Sequence, residues 1–144
     1  MWILGLVAGA CAGASLLLLT HIAPWFALQN VVRDIDEPHI FGKRISRREA
    51  HLVGATVHII VTTLFGGLYA HLVDLSFAPG FSFLAILGWG GVVTVFLGGI
   101  VMPIEGHGIF GVKEDKWFPI DLLITSLLWA VLYWVFTNVW VGLG

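Results

Sequence analysis

Residues 50–73 read AHLVGATVHIIVTTLFGGLYAHLV, an unbroken run without Lys, Arg, Asp or Glu, bounded by Glu49 and Asp74. A helical crossing of a bilayer needs about 20 mainly apolar residues, so this stretch is predicted to span a membrane. Working outward, charge-free runs of similar length occupy 1–32, 75–104 and 122–144. Helices are therefore expected near 2–23, 48–73, 82–103 and 118–141, in one membrane domain covering 1–144. Pro24 and Pro103 would follow the ends of the first and third helices. Ser46-Arg47-Arg48-Glu49 spells a capping box at the start of the second. Pro119 and Asp121 suit the first turn of the fourth, where proline lacks a needless N–H and a carboxylate meets the positive helix end.

The charges sit where such a chain needs them. Only 11% of the residues are charged, against roughly 25% in a soluble domain. All but Asp74 fall within 33–49 and 105–121. Every Lys and Arg lies in the first of these stretches (Arg33, Lys43, Arg44, Arg47, Arg48) or the second (Lys113, Lys116), and the connection 75–81 has none. The excess of basic residues on cytoplasmic loops then predicts both basic loops inside and both termini outside. The N-terminus lacks a basic n-region, and AGACAGA precedes LLLL instead of following it. A retained helix is thus expected in place of a signal peptide. Trp25, Trp117, Trp134 and Trp140 fall near the expected interfaces, as aromatic belts do. Trp25, Leu28, Val32 and Ile35 recur at helical spacing, which predicts a short interfacial helix near 24–37 in the first cytoplasmic loop. The fold class is an all-α, N-out/C-out bundle of four transmembrane helices, placed in a bacterial inner membrane.

The net charge of −2 argues against nucleic acid as a partner. One cysteine, Cys11, gives no disulfide framework. Helices two and four share a faint likeness, HIIVTTLFGGLYAHL beside DLLITSLLWAVLYWVF, readable as a duplicated hairpin or as chance similarity of two apolar helices.

Small residues form rows. Gly5, Gly9 and Gly13 are spaced by four, and helix three carries Gly88, Gly91, Gly98 and Gly99. Such rows let helix backbones approach closely where lipid supplies little hydrophobic drive for association. Gly5, Gly9, Gly13, Gly54, Gly66, Gly91 and Gly98 are the packing candidates, within the chain or against another subunit.

Gly54, His58, Thr62, Gly66 and Ala70 share one face of helix two. His58 falls close to the bilayer midplane, and an intramembrane ionisable residue is a functional hypothesis by default. It suits a haem or chlorophyll ligand, a proton carrier, or a polar link between helices. A bis-histidine haem would need a second chain, because no other helix has a histidine at that depth. Ala55 and Gly54 before His58 resemble the Ala-x-x-x-His ligand motif of light-harvesting polypeptides, with glycine at the alanine position. A second candidate site is cytoplasmic: His21, His51, Glu105 and His107, with His39 and the acids 34–37 nearby, are ligand types for a divalent metal. Their spacing matches no metal signature. Solvated acids balancing the bases is the competing reading.

The Gly-rich first helix ending at Pro24, a helix with His58, Gly66, Gly67 and Tyr69, and an exit through Pro103, Gly106, Gly108, Phe110 and Gly111 resemble small four-helix bacterial membrane proteins of uncharacterised function. The resemblance implies the four-helix membrane fold and brings no activity with it. No Gly-x-Ser-x-Gly elbow is present, and the G-x-G-x-x-G of residues 106–111 follows a membrane helix, not a strand. The expected function is a non-catalytic accessory or assembly subunit, with the bilayer and other membrane subunits or further copies as partners. A haem-, chlorophyll- or metal-binding module and an oligomeric channel or carrier are the alternatives.

Overall fold

The computed structural model describes residues 1–22, 39–40, 43–44, 47–113 and 116–141. Four helices among them are long and apolar enough to cross a membrane. They are α1 (Trp2–Ile22), α2 (Arg47–Asp74), a composite third helix, and α5 (Phe118–Val141). The third runs as α3 (Phe83–Phe96), a π-helical turn (Leu97–Val101) and α4 (Met102–Glu105). Between α1 and α2, His39–Ile40 (β1) pairs antiparallel with Lys43–Arg44 (β2). The expected interfacial helix at 24–37 and the Ser46 cap of α2 lie outside the described residues.

The third helix departs from expectation by continuing through Pro103. A proline inside an α-helix clashes with the carbonyl four residues earlier, here that of Gly99. The π-turn changes the register just ahead of it: the Met102 N–H bonds to the Leu97 carbonyl, five residues back. The helix then stops at Gly106, a left-handed cap with φ 90° whose N–H bonds back to Met102 and Pro103. Its start fits the sequence, with the Ser82 hydroxyl accepting the Ala85 N–H at 3.4 Å.

Helix α1 packs against α2 and α5, and α3 packs against α5. Helices α1 and α2 run antiparallel. Gly5 therefore meets Gly66 and Ala70, and Gly13 meets Thr62. At the same end, the Met1 amino group lies 3.6 Å from Asp74. The core is formed by Ala8, Ala12, Leu16, Tyr69, Ile86, Val93, Trp129, Ala130 and Tyr133. The outward faces are apolar, with Leu84 79% and Ile104 80% exposed among many others. Soluble monomers rarely expose contiguous apolar surface on this scale. It is the surface of a multi-pass membrane protein.

The turn after α4 is tightly determined. Gly106, Gly108 and Gly111 all have positive φ, and so does Phe110 at 54°. Phenylalanine rarely adopts that backbone. Its ring lies on Gly98 within the π-turn, where a Cβ would collide with it. The Phe110 ring thus packs on its own chain, while Ile109 faces outward.

Candidate functional site

The deepest polar groups cluster in mid-bundle. On α2, the row at steps of four turns toward α1: Thr62, Gly66 and Ala70 meet Gly13, Gly9 and Gly5. His58 lies against the Gly13 carbonyl. Gly54 continues the row, but nothing lies within 4 Å of where its Cβ would be. The centre of the α2 span, Leu52–Asp74, falls near Thr62–Thr63. His58 is therefore about one turn from mid-depth, toward the start of α2.

The hydroxyls here turn back on their own helices. Thr62 donates to the carbonyls of His58 at 2.9 Å and Ile59 at 3.1 Å, and Thr63 donates to Ile59 at 2.6 Å. Thr94 donates to Gly90 at 2.9 Å. Such bonds satisfy the donor locally and hold the side chain in one rotamer. They leave the imidazole without a hydroxyl partner on its own helix. His58 Nε2 is buried and has no hydrogen-bond partner among the described residues.

A second buried nitrogen is in the same condition. Trp129 is 3% exposed, and its Nε1 likewise has no partner among the described residues. Trp129 stacks on Tyr133 with ring centroids 5.3 Å apart. Tyr133 donates its hydroxyl to the Gly66 carbonyl at 2.8 Å, bridging α5 to α2. Trp129 and Tyr133 were not singled out from the sequence. The signal that finds them is the spacing of Ser126, Trp129, Tyr133 and Thr137, which places four polar or aromatic side chains on one face of α5. All four are buried.

The remaining candidates are distributed as follows. Gly98 is covered by Phe110, whereas Gly91 has nothing within 4 Å of its Cβ position. Gly90, which was not singled out, is the glycine of α3 that meets α5, with the Ser126 carbonyl 3.1 Å from its Cβ position. The topology brings the backbones of His21 (end of α1), His51 (start of α2), Glu105 (end of α4) and His107 to one end of the bundle. The side chains of His21, His51 and Glu105 lie outside the described residues. His107 is half-buried in the turn, its N–H bonded to the Met102 carbonyl at 3.0 Å. Among the described residues no three of His, Cys, Asp and Glu come together.

A haem or chlorophyll has to seat its metal on an imidazole lone pair, with a flat ring lying across it. His58 itself is half-buried, and its Nε2 atom faces the protein interior and not the outside. The groove beside it on α2, about 330 Å³ and open to the outside, is lined by Ala55, Thr56, Ile59 and Ile60. Its one hydroxyl is already bonded to the Leu52 carbonyl at 2.8 Å. It offers shape without polar recognition. Comparison with known protein families, with curated proteins and with solved structures found no match to this chain.

Proposed function

We propose that this chain is a non-catalytic accessory or assembly subunit of a larger membrane complex, in a bacterial inner membrane with both termini outside. The observation that carries this reading is the outward face of α3. Gly88, Gly91 and Gly99 lie at steps of three or eight, and the chain places nothing within 4 Å of their Cβ positions. Val92 and Val95 lie between them, exposed. Glycine in a helix interior costs about 1 kcal/mol relative to alanine. Gly5, Gly9, Gly66 and Gly90 repay that cost by close approach to another helix of the same chain. The outward glycines of α3 have no such return within the chain, and a helix from another subunit would supply it. The orientation rests on the basic residues, all of which belong to the connections α1–α2 and α4–α5 or to the first turn of α2.

Native mass spectrometry on protein extracted gently from its own membranes tests this. Additional polypeptides or further copies at fixed ratio are expected, and Gly91→Leu should reduce them while the single chain stays folded. A monomer with an added small-molecule or metal mass would overturn the reading and favour a ligand-binding module. An assembly indifferent to Gly91→Leu would remove α3 as its contact.

A further inference from the structure

Four observations place polar groups in two adjacent layers of the bundle. The Tyr133–Gly66 bond sets α2 and α5, which run in the same direction, in register. One turn earlier on each helix, Trp129 stands level with Thr62, and a further turn brings Ser126 level with His58. On α3, the contact of Gly90 with Ser126 and Ala130 puts Thr94 near the level of Ser126. On α1, Gly13 lies against both Thr62 and His58, and the Thr62 hydroxyl takes the position that a Cβ on Gly13 would need. Thr62, Thr94, Ser126 and Trp129 are all buried. They also lie within about a turn of the centres of their membrane spans.

Each layer holds one nitrogen without a partner among the described residues, His58 Nε2 in one and Trp129 Nε1 in the other. Their chemistry is complementary. An indole N–H is a donor only, whereas a neutral imidazole nitrogen donates or accepts according to its tautomer. The threonine hydroxyls spend their protons on their own backbones, which leaves their oxygens as acceptors. Water bound in protein interiors makes about three hydrogen bonds to buried groups of this kind. At mid-bilayer no outside solvent can supply them.

We propose that these two layers bind internal water, with the Trp129 indole as a fixed donor, His58 as its second nitrogen ligand, and the Thr62 and Thr94 oxygens as acceptors. The ligand class is a small molecule that both donates and accepts, and water is the smallest of that class. The inference is independent of the assembly reading, since it concerns the interior of one chain.

The test uses the full chain in phospholipid bilayers. Labelling with ¹⁵N-tryptophan shows the indole N–H groups of the seven tryptophans, and the signals lost in Trp129→Phe and Trp117→Phe assign those two. In solid-state NMR, magnetisation from water should reach the Trp129 indole N–H, with Trp117 at the bundle end as the positive control. In His58→Phe the transfer to Trp129 should fall at least twofold. Absence of transfer to Trp129 in the native chain, with the Trp117 signal present, overturns the proposal, and the native measurement stands even if His58→Phe fails to fold. Transfer unchanged in a folded His58→Phe chain overturns the shared site.

Discussion

Helix α2 is held against α1 and α3 by opposite means. Toward α1 it presents Thr62, Gly66 and Ala70, and the backbones come so close that a Cβ on Gly9 would fall on the Thr62 carbonyl and 3.1 Å from the Gly66 Cα. Toward α3 it presents Phe65 and Tyr69, which meet Trp89 and Phe96 at ring separations of 5.4–6.2 Å. One interface is built by removing side chains, the other by filling a wide gap with rings. In lipid both strategies work for one reason: association depends on packing contact and hydrogen bonds, not on expulsion of water. The two interfaces should therefore fail to opposite mutations.

The largest effect is expected from adding bulk to the close side. In Gly9→Leu the new side chain meets backbone atoms that cannot move without separating α1 from α2. Overpacking of this kind typically costs 1–3 kcal/mol, and about 3 kcal/mol is expected here because the obstacle is backbone. Detergent-induced unfolding of the reconstituted protein measures it. A midpoint equal to that of the native chain would mean that α1 and α2 are not in backbone contact.

Removing bulk should break the wide side. Trp89 fills the gap between α2 and α3, and its indole N–H reaches the Phe65 carbonyl at 3.3 Å. In water-soluble cores Trp→Ala costs about 3–5 kcal/mol. Lipid chains can partly occupy a half-buried gap, so about 2 kcal/mol is expected for Trp89→Ala in the same unfolding assay. The sharper check is the reciprocal one: Gly9→Ala should cost more than Trp89→Phe, reversing the order seen in a conventional core.

Between these lies the Tyr133 hydroxyl, which spans from α5 to the Gly66 carbonyl on the close side. Interhelical hydrogen bonds in membranes average about 0.6 kcal/mol, with a maximum near 1.7. Tyr133→Phe removes one of good length without changing shape, so about 1 kcal/mol is expected. Because Gly66 is also the glycine that admits α1, Tyr133→Phe and Gly9→Ala share a neighbour, and a double-mutant cycle should show their costs to be non-additive.

The close interface was legible in the sequence and the wide one was not. Glycines at steps of four on α1 and a Thr-Gly-Ala row on α2 mark surfaces for close helix contact, and the sequence left open only whether the partner was this chain or another subunit. Aromatic residues in membrane helices have two uses, at the interface and in the core. Trp134 was read as an interface residue, yet it packs edge-on to Phe83 at 5.2 Å. Tyr69 was quoted only as part of a resemblance, yet it is buried, meets Phe81, Trp89 and Tyr133, and bonds to the Gly80 carbonyl at 2.6 Å. His58 was legible as a deep polar group. Its unpaired nitrogen, and the pairing of its layer with Trp129, depend on the register between α2 and α5, which no run of residues encodes. Pro103 misled because a proline ends a helix only when the register ahead of it cannot change, and a glycine pair at 98–99 lets it change.

The smallest intrachain effect is the most informative about function. Gly91 resembles Gly9 in sequence, a glycine in a row on an apolar helix, but it faces outward with open space at its Cβ position. Gly91→Leu should therefore leave the unfolding of the single chain within about 0.5 kcal/mol of native, the range of surface substitutions that touch nothing. Any larger change in the isolated chain would mean that the outward face of α3 is packed by this chain itself. If the isolated chain is unchanged while native complexes lose their partner, the same substitution that is silent in one bundle is disruptive between bundles. The contrast between Gly9 and Gly91 then extends the lesson of the two interfaces: a glycine row in lipid marks a surface another helix must touch, and the fold decides whether that helix belongs to the same chain.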